Sequence, residues 1–285
     1  MTLHKNVEDD EYFLQLDKND LEKEFIYFAY VLNAPQAAGV RGGAIGQGAV
    51  LEFRRFKDEI ALFKKNTNFS NETDNNIGKA DLTNIMEAFL DSFEVVVEEG
   101  ESIVISVSDL FLSETLTSVS PNLPREYRDF VDLDLGRLDD DKTFINQVRN
   151  YPKNTAVEVT FGFSNPKPNQ RNAVYAVADA RFTSIVARHL FVEMPDDQFN
   201  TRVADQRVGY FSQRVTDLST YDNYPQRDLI NKWRLIKKDP EAELSEPVNP
   251  IVFWVEKSTP EEIKPMVVKG IEAWKLAFER AGFKN

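Results

Sequence analysis

The stretch that most constrains the fold is residues 249–285, which has the pattern of a buried strand followed by one amphipathic helix. Within Pro250–Val255, five apolar residues in a row, rich in β-branched and aromatic types, are typical of a strand covered on both faces. Pro247 and Pro250 bound this strand, because proline cannot donate to a sheet ladder. A strand followed by a single helix predicts the start of a second structural unit after a separate body.

The predicted helix has clear start and stop signals. Thr259 and Glu262 fit a capping box, and Pro265 predicts that the main helix begins there. Gly282 is the predicted C-terminal cap. Four apolar residues recur on one face at helical spacing: Val267, Ile271, Trp274 and Phe278. Because this face is wide enough to need a covering surface, we expect it either to dock on the preceding body, which we favour, or to self-associate.

The rest of the chain predicts an antiparallel, strand-rich body. Phe25–Leu32 is an unbroken aliphatic and aromatic run, which favours a central strand. Val50–Phe56 and Glu59–Lys65 predict a hairpin, and alternation over Val157–Phe163 predicts a half-buried strand. Further strands are predicted at Glu11–Leu16, Phe93–Val97, Ser102–Val107, Ala173–Val192, Arg207–Val215 and Leu229–Ile236.

Two other segments complete the predicted organisation. Leu82, Ile85, Met86, Phe89 and Leu90 follow helical spacing. Asp239–Asn249 is acidic, contains proline and lacks periodicity, so it is the best candidate for a linker. We therefore predict an α+β, β-rich fold, with an accessory domain over residues 1–245, divisible near residue 150, and a second unit over 246–285.

Composition excludes several classes of partner. A net charge of −13 without a basic patch argues against nucleic acid and gives no attraction to anionic lipid. No run of eighteen apolar residues predicts a membrane span, and the N-terminus does not have the pattern of a signal peptide. The absence of cysteine excludes disulfides and thiolate zinc sites.

Three features could carry a site, and each has a structural alternative that we favour. Gly39–Gly48 holds five glycines and could cradle a phosphate or clasp a peptide, but it lacks the lysine of a P-loop and favours a mobile connection. The acidic stretch Asp132–Asp141 could bind calcium, but its spacing does not fit an EF-hand and favours a solvated turn. His189, among apolar neighbours on a predicted strand, favours a structural role over metal binding.

Two long stretches carry a resemblance to a known family. The first is NPIVFWVEKSTPEEIKPMVVKGIEAWKLAFERAGFKN at residues 249–285, and the second is MPDDQFNTRVADQRVGYFSQRVTDLS at residues 194–219. Shorter matches are SVSDLFLSE at residues 106–114, NYPKNTAVEV at residues 150–159 and RDLINKWRLIKKDP at residues 227–240. The chain resembles a family of large bacterial zinc-dependent metalloproteases of the metzincin type. Within it, residues 249–285 resemble the opening strand and helix of the catalytic domain.

The resemblance implies a function that this chain cannot perform alone. The family's zinc site is H-E-x-x-H on a helix, and the only histidines here are His4, in a ragged N-terminus, and His189. We therefore expect a non-catalytic N-terminal portion of a metallopeptidase, truncated before its zinc motif. We predict no catalytic, metal-binding or cofactor-binding residue in this chain.

The same resemblance implies where the zinc and the partners are. Zinc would belong to the full-length parent, and the partner would be the downstream catalytic domain of the same polypeptide, with a peptide or protein substrate as a second. The parent would be exported, to the periplasm, the outer membrane or the outside of the cell. Two alternatives remain open: an independent binding module for a cell-surface glycan or peptide, and a separate enzyme with paired carboxylates, for which 47 acidic residues give no specific signal.

Overall fold

The chain divides into two units by the contacts between its residues. Unit 1 comprises Met1–Asp196 and Asp217–Asn223, and unit 2 comprises Asp197–Thr216 and Tyr224–Asn285. The computed structural model describes residues 1–46, 48–70, 85–121, 131–168, 175–195 and 199–284.

Strands dominate the elements. In chain order they are β1 Thr2–Lys5, β2 Tyr12–Asp17, β3 Glu24–Asn33, β4 Ala49–Phe56, β5 Glu59–Lys64, β6 Phe69–Ser70, β7 Ala88–Glu99, β8 Ser102–Ser106, β9 Arg137–Leu138, β10 Phe144–Tyr151, β11 Asn154–Ser164, β12 Phe182–Glu193, β13 Ser212–Asp217 and β14 Gln226–Ile230. The α-helices are α1 Ser108–Leu112, α2 Lys264–Glu272 and α3 Lys275–Arg280. Short 3-10 turns cover Lys18–Asp20, Gln36–Ala38 and Asp140–Lys142.

One large antiparallel sheet forms the frame of unit 1. Its strand order is β1-β2-β8-β7-β5-β4-β3-β12-β11-β10, and β9 pairs with the end of β11. The β11–β12 ladder is the longest, with eleven paired positions from Asn154↔Val192 to Ser164↔Phe182. The prediction of a β-rich fold with antiparallel sheets is confirmed.

The two ends of this strand order meet through one side chain. The amide of Asn150, in β10, donates from Nδ2 to the carbonyl oxygen of Leu3 at 2.9 Å, and its Oδ1 accepts from the Leu3 N–H at 3.0 Å. In this pair of hydrogen bonds, the Asn150 side chain takes the place of the backbone N–H and C=O groups that a neighbouring strand would provide in a ladder. The sheet therefore curls so that β1 and β10 face each other, and its inner face encloses the core.

Alternating residues of the curled sheet fill that core. The side chains of Ile60, Ile103, Val157, Phe161 and Ile185 have no exposed surface. In β11 the residues Val157, Val159, Phe161 and Phe163 all point inward, as the two-residue period of a strand requires. The predicted half-buried strand at 157–163 is thus confirmed, as are the hairpin of β4 and β5 and the hairpin of β7 and β8.

Unit 2 contains far less buried apolar surface. Among its described apolar residues, only Ile230 and Pro247 are buried, and α2 and α3 contain no buried residue. Strands β13 and β14 pair antiparallel from Ser212↔Ile230 to Thr216↔Gln226. The predicted strands at Arg207–Val215 and Leu229–Ile236 overlap these two strands, but both begin and end at other residues.

Three sequence predictions are wrong in the described parts of the chain. Pro250–Val255 forms no strand, because no described segment pairs with its backbone. Phe89 and Leu90 lie in β7, where pairing with β5 overrides their helical spacing, while residues 81–84 of that predicted helix lie outside the described residues. The predicted strand at Ala173–Val192 begins only at Phe182, and its first two residues are outside the description.

Candidate functional site

A groove in unit 2 is lined mainly by apolar side chains. It has a volume of about 390 Å³. Its apolar lining, which we call the apolar groove, consists of Trp233, Leu235, Pro247, Ile251, Phe253, Ile271, Trp274, Phe278 and Phe283. Three of the four residues on the predicted helix face contribute to it, namely Ile271, Trp274 and Phe278. The groove therefore includes most of the predicted apolar face of the helix.

The extended segment 251–255 forms one wall of the groove. Ile251 and Phe253 line it, and the Phe253 ring meets the Trp233 ring edge-on at a centroid distance of 6.5 Å. Trp254, on the alternate face, is 91% exposed. Within the described residues this segment has no ladder partner, so an apolar stretch with strand composition presents both its side chains and its backbone to solvent.

The two short helices form the opposite wall. Helix α2 begins at Lys264 with a proline in its first turn, close to the predicted start at Pro265. Trp274 lies between α2 and α3 and is 67% exposed. Gly282 ends α3 with φ of +90°, and the Phe283 N–H returns to the Phe278 carbonyl at 2.9 Å, which confirms the predicted glycine cap.

The segment predicted as a linker is tied to the end of this helix pair. Ser245 is buried, its N–H donates to the Gly282 carbonyl at 3.1 Å, and its own carbonyl accepts from the Lys284 N–H at 3.0 Å. The Lys237 ammonium donates to the carbonyls of Ala242 and Glu243 at 2.7 and 3.0 Å. Residues 239–249 are therefore hydrogen-bonded within unit 2 and do not form a free connection.

The rim of the groove carries charges of both signs. Glu272 and Lys275 pair across one turn at 3.2 Å, and Glu279 and Lys284 also line the opening. An exposed pair of this kind contributes little energy. The apolar lining between these charged residues is suited to covering by an apolar protein surface.

The two histidines occupy unrelated places in unit 1. His4 lies in β1 and not in a ragged terminus, and its Nε2 is 2.9 Å from Gln15 Oε1. His189 lies in β12 with no exposed surface, and its Nδ1 is 2.9 Å from the Tyr27 hydroxyl. Its ring is surrounded by the aromatic rings of Tyr27, Phe111 and Phe161.

The environment of His189 fixes its charge state. Burial lowers its pKa to about 4 and raises the pKa of Tyr27 above its usual value, because both charged forms lose their hydration in the core. In the described residues, His189 Nε2 has no hydrogen-bond partner. A buried, neutral imidazole that is hydrogen-bonded to one tyrosine is consistent with the predicted structural role of His189. A structural histidine would normally have a hydrogen-bond partner at its second ring nitrogen as well.

The glycine-rich tract pairs with the sheet instead of forming a separate loop. The Gly43 N–H donates to the Val31 carbonyl at 2.7 Å, the Val31 N–H to the Ala44 carbonyl at 2.9 Å, and the Gly46 N–H to the Ala29 carbonyl at 2.7 Å. The tract therefore continues the edge of β3 beyond the residues that β4 covers. The absence of side chains at Gly42 and Gly46 permits this, since a Cβ at either would lie 3.3 Å from a β3 carbonyl.

The acidic stretch behaves as a turn. Asp139 contacts Lys142 and the Ser164 hydroxyl, which together hold the pKa of its carboxyl below the usual range. Asp134 accepts from the Gly136 N–H at 3.1 Å. Among the described residues, no three histidine, cysteine or acidic side chains are placed to hold a metal ion.

Fold and groove together define a class of protein: a curled antiparallel sheet with a small, partly helical unit that exposes an apolar surface. In the described residues no helix has the length and hydrophobicity needed to cross a bilayer. The chain belongs to the family described as a domain of unknown function, DUF5117, whose model matches residues 42–238. Comparison with curated proteins and with solved structures gave no match.

Proposed function

We propose that this chain is the non-catalytic N-terminal portion of a zinc-dependent metallopeptidase of the metzincin type. In this proposal unit 1 and about half of unit 2, which together make up residues 1–245, form an accessory region that supports or shapes the peptidase domain. Residues 246–285 begin the peptidase domain itself, and the remainder of that domain covers the apolar groove. The parent protein acts after export from the cytoplasm.

The observation that carries the proposal is the exposed apolar surface of residues 251–278. Phe253, Trp254 and Trp274 are 58%, 91% and 67% exposed, although large aromatic side chains normally contribute most when buried. A strand-like segment without a ladder and a helix pair without a buried residue need a further sheet. Because this stretch resembles the first strand and helix of a protease domain, the remaining strands of that domain would form the missing sheet.

The extent of the family match is consistent with the same division. The match ends at residue 238, so the stretch that resembles a protease domain lies outside it. The boundary predicted near residue 245 therefore stays a prediction, supported by the end of the match.

Among the described residues, no group of three potential zinc ligands is present: His4 is an exposed residue of β1, and His189 lies in the core. The H-E-x-x-H motif of the proposed parent would supply the ligands and the general base. We derive no catalytic step from the residues of this chain.

The proposal is tested first by reading the source sequence past Asn285 and then by measuring the peptidase activity of the longer protein. We expect the source frame to continue past Asn285 into H-E-x-x-H, and the longer protein to hydrolyse peptides in a zinc-dependent manner. A frame that stops or continues without such a motif overturns the proposal.

The role of the groove is tested in that longer protein with a matched pair of substitutions. Phe253→Asp places a charge in the groove, whereas Phe211→Asp makes the same change at a residue that is 89% exposed and outside it. We expect the first to lower peptidase activity roughly tenfold or more, since one buried aromatic side chain contributes about 1.5–3 kcal/mol. The second should stay within about twofold of the wild type. Equal effects of the two substitutions would show that the groove is not covered in the parent.

A further inference from the structure

A second concavity, in unit 1, lies at one end of the curled sheet. It has a volume of about 730 Å³ and is bordered by the ends of β2, β3, β4 and β12 and by the turn between β10 and β11. We call it the sheet-end cleft. The mouths of closed or curled sheets are common places for ligands, and this volume is in the range of ligand sites.

Aromatic rings form the floor of the sheet-end cleft. Phe25 stacks on Phe53 at a centroid distance of 5.3 Å and lies 5.9 Å from Phe191. All three side chains are at most 5% exposed, so their packing is fixed by the core. Tyr151, at the rim, is 48% exposed. A rigid aromatic floor with a half-exposed ring beside it can receive an apolar side chain with little rearrangement.

The rim of the cleft is acidic. Asp20, Glu24 and Glu193 border it, and a neighbouring cavity of about 370 Å³, which shares Leu16 and Asp20, adds Asp17, Glu99 and Glu101. Against these six carboxylates stand Lys23, which already pairs with Asp20 at 3.2 Å, Lys153, and the terminal ammonium of Met1, which lines both cavities. Unit 1 as a whole has 35 acidic and 20 basic residues, a net charge of −15.

The charge of the rim and the aromatic floor together indicate which kind of ligand fits the sheet-end cleft. An acidic rim attracts a cation, and the aromatic floor favours an apolar group attached to it. Two adjoining cavities suit a chain of several residues better than a single compact molecule. We propose that the sheet-end cleft binds an extended cationic peptide segment, with an apolar or aromatic side chain on Phe25, Phe53 and Phe191 and basic side chains against the rim carboxylates. The inference does not rest on the covering of the apolar groove by a peptidase domain, because the two sites share no residue.

The experiment uses capped pentapeptides and the chain as given. One peptide alternates lysine with phenylalanine, a second alternates glutamate with phenylalanine, and a third alternates lysine with serine. Binding is followed by calorimetry at low and moderate salt, and the site is located by amide chemical-shift changes. We expect saturable binding of the first peptide, with shifts at Tyr151 and Phe191, weaker binding of the third and none of the second.

A matched pair of variants separates a built site from general attraction to an acidic protein. Asp20→Asn with Glu193→Gln removes two charges from the cleft, and Asp58→Asn with Glu94→Gln removes two exposed charges elsewhere in unit 1. We expect the first pair to weaken binding about fivefold, as loss of two partly exposed ion pairs should, and the second to change it less than about twofold. Circular dichroism checks that both variants are folded.

Three results would overturn the inference. The first is no saturable binding of the lysine–phenylalanine peptide, and the second is equal weakening by the two variant pairs. The third is binding of a neutral hexose oligomer at these residues in place of the peptide, which would make the cleft a glycan site.

Discussion

Unit 1 buries many of its aromatic side chains, whereas no described aromatic side chain of unit 2 is buried. In unit 1, phenylalanines such as Phe53, Phe111 and Phe161 are at most 2% exposed, whereas in unit 2 Phe211 and Trp254 are about nine-tenths exposed. Their charges differ as well: unit 1 has a net charge of −15, and unit 2, with 14 basic and 12 acidic residues, has +2. A charged surface around a dry core is typical of a unit that folds by itself. A weakly charged unit with exposed aromatics is typical of one that is completed by a partner.

The largest expected difference between the two units comes from removing a phenylalanine. Phe161→Ala deletes a fully buried ring at the centre of β11 and should lower the free energy of unfolding by about 3–5 kcal/mol. Phe211→Ala makes the same change at an 89% exposed side chain and should alter it by less than about 0.5 kcal/mol. Urea unfolding of both variants and the wild type measures this. Similar midpoints for the two variants would remove the basis of the comparison.

The next largest expected effect is a loss of folding stability in acid that is caused by His189, which lies in unit 1. Its pKa is about 4 in the folded chain and near 6.5 when unfolded, so the unfolded state binds the proton first. Stability from this group is present above pH 6.5 and is lost as pH falls toward 4, by roughly 2–3 kcal/mol between pH 7.5 and pH 4.5.

Two variants isolate that contribution from the carboxylates that titrate in the same range. In His189→Phe the unfolding free energy should fall less on acidification than in the wild type, by roughly 2–3 kcal/mol. His4→Gln, at an exposed histidine, should retain the wild-type pH dependence. Urea unfolding at the two pH values measures both. A wild-type pH dependence in His189→Phe would mean that His189 is not held neutral in the core.

Replacing one glycine by alanine in each unit should change the folding stability in opposite directions. A Cβ at Gly162 would overlap Lys142, where the 3-10 turn at 140–142 crosses β11, so Gly162→Ala should destabilise the chain by about 1–3 kcal/mol. A Cβ at Gly270, within α2, would meet nothing within 4 Å, and Gly270→Ala should favour the helix by about 0.5–1 kcal/mol. Thermal melts followed by circular dichroism give both signs. Two effects of the same sign would contradict the packing described for one of the units.

The smallest expected effect is that of Trp274→Ala in this chain. With the side chain 67% exposed, we expect a loss of about 1 kcal/mol or less, well below that for a packed tryptophan. Denaturant unfolding followed by tryptophan fluorescence measures it. A loss above about 3 kcal/mol would show that the helix face is already covered, as the sequence analysis had favoured.

The sequence predicted the parts of the fold that depend on local patterns. Phe25–Leu32, the β4–β5 hairpin and alternation in β11 all identified strands correctly, because side-chain period and turn residues are local properties. Phe89 and Leu90 were assigned to a helix, because their spacing gives no information on β5, the strand that pairs with them. Pro250–Val255 has strand composition, but a strand exists only where another segment accepts its hydrogen bonds.

The candidate sites were less accessible from the sequence. The three helix-face residues in the apolar groove followed from their spacing, but Trp233 and Leu235 on its other side did not. The sheet-end cleft joins residues from Leu16 to Glu193, which come together only through the order of strands in the sheet. No local pattern encodes that order, although the acidic excess of residues 1–196 was visible in the sequence.

The central claim is that residues 251–278 are an unfinished surface in this chain, which the rest of a longer protein completes. Amide hydrogen exchange, read by mass spectrometry on this chain and on the product of the longer reading frame, tests it most directly. We expect residues 251–255 to exchange rapidly in this chain and to become protected in the longer protein, while β11 is protected in both. Equal protection of residues 251–255 in the two proteins, whether high or low, would contradict the claim.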